Sequence, residues 1–304
     1  GASLSPGPQG AEAWSETFTL GQPGQAGGYK ATFSSLGGTL TELRLSDYYT
    51  TNKEELDTQD SKYWMPLVKP VRTQTGMRGS FGLQPGPSAQ DLLPYDLEQV
   101  HWNHEVLEAA DGSVDGVRFY HAAPSGLILE KVIRRVPGKH HFQLEFALSG
   151  TSPENAGRAV GFRFIPALGV PKSSSDSYYQ EPRARACGLA GGEWEIESQA
   201  VNPKGDPVSG PFGVGNDLVY VGVDNKYFAM LMHPTPDGQV EVNRNALTDA
   251  TWTQIRDLDW AEKHPEEASK GSYRHAYAEA GLSVNLPPVG ERYSWNYTLY
   301  AGPK

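Results

Sequence analysis

The sequence predicts an all-β protein, one large antiparallel β-sandwich, and three observations predict it. The chain of 304 residues carries 34 Gly and 23 Pro, a turn-rich inventory that suits many short strands better than long helices. Apolar and polar residues alternate with period two in one segment after another, the signature of strands with one covered face. Hydrophobic residues make up 38% of the chain and include 15 Tyr, 10 Phe and 7 Trp, enough to fill a sizeable core and to argue against global disorder.

Residues Gly1 to Ala13, with Pro6, Pro8 and one apolar anchor at Leu4, read as a flexible arm, so the predicted domain spans 14–304. Trp14, Glu16, Phe18 and Leu20 open the first patterned segment, which Gly21 to Gly24 and then Gly27-Gly28 interrupt. From Tyr29 to Leu45 the pattern is strand, tight turn, strand, with Gly37 and Gly38 supplying the positive φ angles the turn demands. Asp47 to Lys62 is polar and short of apolar anchors, which predicts a long surface loop with one helical turn at 53–56. A second long loop is expected over the Gly/Pro-rich stretch 70–94. The strongest β signal follows. Val100 to Val106, Val117 to His121, Leu127 to Ile133 and Phe142 to Leu148 form an antiparallel meander, with turns at Asp111-Gly112-Ser113 and Pro137-Gly138.

Further strands are expected at Phe162 to Leu168, Trp194 to Glu197, Leu218 to Val223, Tyr227 to Met232 and Val240 to Val242. The run Tyr227 to Met232 is apolar on both faces, which places it in the middle of a sheet. A short helix is expected near 256–272, with Pro265 at a first helical position, Glu266 and Glu267 in its first turn and Gly271 ending it. Gly281 to Lys304 reads as a complete hairpin. Leu282, Val284 and Leu286 alternate with polar neighbours, Pro287 to Gly290 turns the chain, and Tyr293, Trp295, Tyr297 and Leu299 alternate again before Gly302 and Pro303 end the strand.

Composition excludes several functions. A formal charge of −10 without a basic run disfavours nucleic acid and anionic lipid surfaces, both of which require clustered Lys and Arg. No run approaches the roughly 20 apolar residues of a membrane-spanning helix. The single cysteine, Cys187, has no internal disulfide partner, and although Arg183 and Arg185 could lower its pKa if they converge on it, it reads as inert. His101 and His104, three apart on a strand, point to opposite faces, and adjacent His140 and His141 diverge, so neither pair chelates a metal alone. There is no nucleophile elbow and no phosphate loop. No catalytic, cofactor or metal residues are assigned.

Four blocks together resemble the large periplasmic domain of the YidC-type bacterial membrane protein insertases. They are Tyr29 to Leu45 with its Gly37-Gly38 turn, Gly126 to Gly150 with Leu129-Glu130-Lys131-Val132-Ile133, Lys226 to Pro234, and the closing Leu299 to Lys304. The resemblance runs from about Trp14 to the end, with 70–94 and 183–215 divergent. It implies a β-supersandwich similar to the galactose mutarotase-like fold, without that enzyme's chemistry. It also implies a location in the periplasm, in a protein of the bacterial inner membrane, and a supporting role in membrane protein insertion through Sec translocon components and nascent membrane proteins. Tyr178, Tyr179, Arg183 and Arg185 are the expected partner-binding residues, because clustered aromatics and arginines are frequent interface anchors. The alternative is a carbohydrate-binding or aldose-epimerase-like protein, for which His104, His121 and His233 with Glu130 or Glu105 would have to converge as acid and base.

Overall fold

The computed structural model describes residues 11–50, 57–170, 182–200, 209–214, 217–235, 247–268 and 274–304. Strands dominate, all paired antiparallel. A four-stranded sheet is formed in order by β1 (Ser15–Leu20), β2 (Tyr29–Ser34), β3 (Thr39–Tyr49) and β4 (Trp64–Val68). After it come the small hairpin of β5 (Val71–Thr73) and β6 (Gly76–Arg78), then β7 (Gly82–Pro85), β8 (Asn103–Glu108), β9 (Val114–Ala122), β10 (Ile128–Arg135), β11 (His141–Ser149) and β12 (Ala159–Ile165). The second half contributes β13 (Arg183–Ala190), β14 (Glu193–Ala200), β15 (Ser209–Pro211), β16 (Asp217–Asp224), β17 (Phe228–Pro234) and β18 (Leu247–Arg256). Two short helices, α1 (Leu258–Lys263) and α2 (Pro265–Ala268), precede β19 (Arg274–Asn285) and β20 (Tyr293–Pro303).

The largest sheet has nine strands in the order β14-β13-β16-β17-β20-β11-β10-β9-β8, and a five-stranded sheet runs β15-β18-β19-β12-β7. The four- and five-stranded sheets both pack on one face of the nine-stranded sheet, called inner here. Tyr29 of β2 meets Phe142 of β11 at 4.9 Å between ring centroids, and Phe33 meets Phe119 at 6.3 Å. Farther along, Phe146 meets Phe162 of β12 at 5.5 Å. Period-two alternation makes this possible: Val117, Phe119, Leu129, Ile133, Phe142, Leu144, Trp295, Tyr297 and Leu299 are buried inward, while Arg118, Tyr120, Arg134, Gln143 and Asn296 face outward.

The expected Gly37-Gly38 turn is present, with φ of +66° and +55° and Gly38 N donating to Ser35 O at 3.0 Å. The Pro137-Gly138 turn has Gly138 at φ +70° and is closed by Lys139 N donating to Val136 O.

Four expectations are corrected. Gly281 to Lys304 is not a hairpin: β19 belongs to the five-stranded sheet and β20 to the nine-stranded one. Both strands bury their apolar rows in the same core from opposite sides, and Pro287-Pro288 fits a crossover as well as it fits a turn. Gly302 and Pro303 are not beyond the ladder but its last two residues: β20 ends at Pro303, and the two pair with Ala229 and Phe228 of β17. The helical stretch is not one helix from 256: β18 runs through Arg256, the helix starts at Leu258, and His264 leaves helical geometry (φ −135°, ψ 59°) and splits it into α1 and α2, the latter starting at Pro265; residues 269–273, Gly271 among them, lie outside the described residues. Finally, 70–94 contains β5, β6 and β7, and β3 continues through Asp47 to Tyr49. The expected helical turn at 53–56 and the strand at 240–242 lie outside the described residues.

Candidate functional site

The chain holds two clusters of polar chemistry among the described residues, one buried and one open. The buried cluster runs between the sheets. Arg78 Nη2 lies 2.5 Å from Glu98 Oε2, Arg78 Nη1 donates to Tyr277 Oη at 2.8 Å, Gln84 donates to Glu98, and Tyr277 Oη donates to Glu279 Oε1 at 3.1 Å. Burial pushes the Glu98 carboxyl up while Arg78 and Gln84 pull it down. Nearby, Lys131 Nζ donates to Gly37 O and Phe81 O at 2.7 and 2.8 Å and lies 4.3 Å from the centroid of the Trp102 ring. His121 Nε2 lies 2.7 Å from Tyr95 Oη. These groups are spent on one another, so the cluster fixes loops to sheets more readily than it turns over a substrate. An open depression of about 410 Å³ borders it, lined by Thr73, Thr75, Arg78, Gln254, Arg256 and Leu258 among others.

The open cluster lies on the outer face of the nine-stranded sheet, where β16, β17, β20 and β11 run side by side. Register sets Leu231 beside Tyr300 and Tyr300 beside His141, and it places His233 beside Thr298. Together with Val219, Tyr220 and Pro234, residues Leu231, Tyr300, His141 and His233 line a depression of about 500 Å³. The His141 and Tyr300 rings meet edge to face at 5.3 Å. Burial, with Lys139, His233 and His140 adding repulsion, holds the His141 imidazole below its usual pKa, so it stands there neutral at physiological pH. Its Nδ1 is buried with no hydrogen-bond partner among the described residues.

Toward the β14 edge, Tyr220 of this depression pairs with Cys187, which in turn pairs with Ile196 of β14. Arg185 Nε and Lys304 Nζ approach Asp224 Oδ2 at 2.9 and 3.0 Å, a nearly buried carboxylate shared by two cations. Beyond them the outer side of the β13–β14 hairpin exposes Leu189, Trp194 and Ile196, the latter two at 66% and 57%. Adjacent exposed apolar side chains of this size are characteristic of contact surfaces.

Of the four expected partner-binding residues, Arg183 and Arg185 lie on β13 beside this surface, and Tyr178 and Tyr179 lie outside the described residues. Cys187 is buried and burial raises its thiol pKa; the arginines do not activate it, because Arg185 is committed to Asp224. The histidines and carboxylates of the epimerase alternative do not converge. His121 points into the core and His104 stacks on Trp14 at 3.9 Å, whereas Glu105 and Glu130 share Arg118 on the outer face. His233 belongs to β17, at the other side of the intervening β20, β11 and β10. His140 pairs with Asp47 at 2.9 Å, away from His141 as expected. No group of three or more metal-ligating side chains occurs among the described residues. The residues missed in sequence are Tyr220, Leu231, His141 and Tyr300. Their available signal was bulky rings and an aliphatic group at the polar phase of the alternation.

The fold and this surface define a class: an all-β antiparallel supersandwich with an open, partly aromatic outer face. Among solved structures the chain is similar to a candidate aldose 1-epimerase of Escherichia coli K12, at 13% identity and a TM-score of 0.49 over 96% of this chain and 100% of that one. It is also similar to a galactose mutarotase related enzyme of Lactobacillus acidophilus, at 8% identity and 0.44 over 94% and 97%. A galactose mutarotase-like protein of Lactobacillus casei follows at 10% and 0.39 over 94% and 100%. At these identities no residue role is carried over. No protein-family model matches the chain, and no curated protein matches it. No helix among the described residues is long and apolar enough to cross a membrane.

Proposed function

We propose that this chain is a non-catalytic interaction module that engages protein partners through the outer face of its large sheet. The resemblance to the large periplasmic domain of YidC-type insertases gives the module a setting: support of inner-membrane protein insertion by contact with Sec translocon components or nascent chains. The observation that carries the reading is the exposed row Leu189, Trp194 and Ile196 on an edge hairpin, on the same sheet face as the depression at Tyr220 and Tyr300. Chemistry would require a base and an acid facing one substrate atom. The histidines considered for that role face different ways, and the buried carboxylate Glu98 is bound to Arg78.

Capture of detergent-solubilised translocon subunits on the immobilised chain tests this. Retention is expected, and the double variant Trp194→Ser/Ile196→Ser is expected to lose it while keeping the same near-UV circular dichroism. Failure of the native chain to retain any subunit would refute the setting.

A second reading is carbohydrate binding, favoured by the juxtaposition of Tyr220 and Tyr300 with His141 and His233 around one depression. Titration of galactose and glucose followed by calorimetry separates the two. Saturable heat that Tyr300→Ala abolishes would support the sugar site, and flat traces would remove it.

A further inference from the structure

The β13–β14 hairpin carries a pattern that exposure alone does not explain. Among the described residues β14 is the first strand of the nine-stranded sheet and pairs only with β13, so its other edge presents a row of backbone donors and acceptors. Free edges of this length are normally blunted by charged side chains, a proline, a bulge or a covering element. β14 has no proline or bulge in its eight residues and its only charges are glutamates, all of one sign; Glu193 to Glu197 alternates charged with apolar before Ser198-Gln199-Ala200. At its tip Gly191 and Gly192 turn at φ of +60° and +90° with open space around them. Its base is anchored, since Gly213 N donates to Glu197 Oε2 and Gln254 Nε2 donates to Ala200 O.

Its two faces are chemically distinct. Trp194 and Ile196 lie on the outer face with Leu189 and Cys187 beside them on β13. Glu193, Glu195 and Glu197 lie on the other, and the register sets them opposite Ala190, Gly188 and Ala186. β13 therefore places no cation across from three consecutive same-face carboxylates. Opposite charges on directly paired strand positions stabilise a ladder and like charges weaken it. A strand added on the open edge of β14 is placed to supply the counter-charge that β13 lacks.

We propose that β14 is an acceptor edge for β-augmentation, adding an extended segment of a partner protein in which basic and apolar residues alternate. The basic residues pair with the glutamate row, the apolar ones cover Trp194 and Ile196, and main-chain hydrogen bonds to the open edge supply sequence-independent affinity. A second copy of this chain is the wrong occupant, because pairing β14 with itself sets glutamate rows side by side. This inference rests on the interaction reading above and adds the binding mode and the chemistry of the partner.

The test uses a peptide of β14's own length alternating lysine with valine, measured by calorimetry against the whole chain. Three comparisons decide it: the glutamate–valine counterpart, a lysine–valine peptide N-methylated at every second amide, and the variant Glu193→Lys/Glu195→Lys. Binding of the lysine peptide, about tenfold or more weakening by the glutamate counterpart or by N-methylation, and a reversed preference in the charge-swapped variant are expected. Equal binding of the N-methylated peptide would overturn augmentation while leaving surface contact, and hence the interaction reading, in place. Capture of translocon subunits with no binding of any peptide would likewise overturn only the binding mode. No capture and no peptide binding would remove both. Concentration-dependent dimerisation abolished by Trp194→Ser/Ile196→Ser would assign the edge to a second copy and overturn the proposed partner.

Discussion

Lys131 crosses the interior with no exposed surface, its ammonium held by Gly37 O, Phe81 O and the face of Trp102. One of those carbonyls belongs to Phe81, a buried non-glycine residue at φ +67°, so the lysine helps hold a backbone conformation that L-residues rarely adopt. Burial pushes the Lys131 pKa down to about 7, with Glu98 pulling the other way. The unfolded lysine titrates near 10.4, so between those values the unfolded chain binds more protons and stability contributed by this group rises with pH. The cost of burying the charge is complete below pH 7 and is relieved toward pH 10; a shift of that size is worth on the order of 5 kcal/mol. Denaturation midpoints of Lys131→Met are therefore expected to show a flatter profile than the native chain from pH 7 to 9, the difference variant minus native falling as pH rises. Parallel profiles would refute it. His121 gives the acid counterpart: burial first and Lys131 second push its imidazole down to about 4. An unfolded histidine takes its proton near 6.5, so stability present above that pH is lost as pH falls from 6.5 toward 4. His121→Phe should remove that acid-side slope. The Arg78–Glu98 pair behaves differently. Removing either partner strands the other in the interior, and Arg78→Met is expected to cost about 3–5 kcal/mol in urea titration.

At the scale of elements, alternation in sequence reads well and partnership reads poorly. The meander β8 to β11 and the central position of β17 were legible, because each strand's apolar phase and its flanking turn residues are local. The destination of β19 and β20 was not. A strand's period tells which face is buried, never which sheet it joins, and Leu282 and Tyr297 look alike whether they share a sheet or face each other across a core. The same limit hid the outer depression: Tyr220, Leu231, Tyr300 and His141 come from four strands and meet only through register. Gly302 shows how element pairing creates a local demand. A Cβ there would meet His140 Cβ at 2.6 Å, and Ala301 N donates to His140 O at 2.8 Å, so β20 and the start of β11 approach too closely for a side chain. Gly302→Ala is expected to lower stability by about 1–3 kcal/mol through that overlap, whereas Gly290→Ala, in open space at φ +80°, carries only the backbone strain. A loss near zero for Gly302→Ala would show that the close approach to His140 relaxes without cost and would refute it.

The whole molecule cannot be divided where its sequence is divided. The nine-stranded sheet takes β8 to β11 from the first half and β13, β14, β16, β17 and β20 from the second, with β20 seated between β17 and β11. Tyr29 near the beginning donates its hydroxyl to Ala301 O near the end at 3.0 Å, and Arg78 of the β5–β6 hairpin donates to Tyr277 of β19 in the five-stranded sheet. The four- and five-stranded sheets are separate ladders, yet both rest on one face of the same large sheet and share its core. Losing β20 would open the large sheet in its middle and uncover the inner rows beneath both smaller sheets. Such coupling predicts one cooperative transition for the described domain, because neither smaller sheet retains a buried face once the large one opens. Far-UV circular dichroism, near-UV circular dichroism and tryptophan fluorescence should report coincident urea midpoints, and Leu299→Ala at the centre of β20 should move all three together by about 2–5 kcal/mol. A fluorescence transition that separates from the far-UV one would mean that one smaller sheet keeps its packing alone, and would divide the sandwich into two folding units.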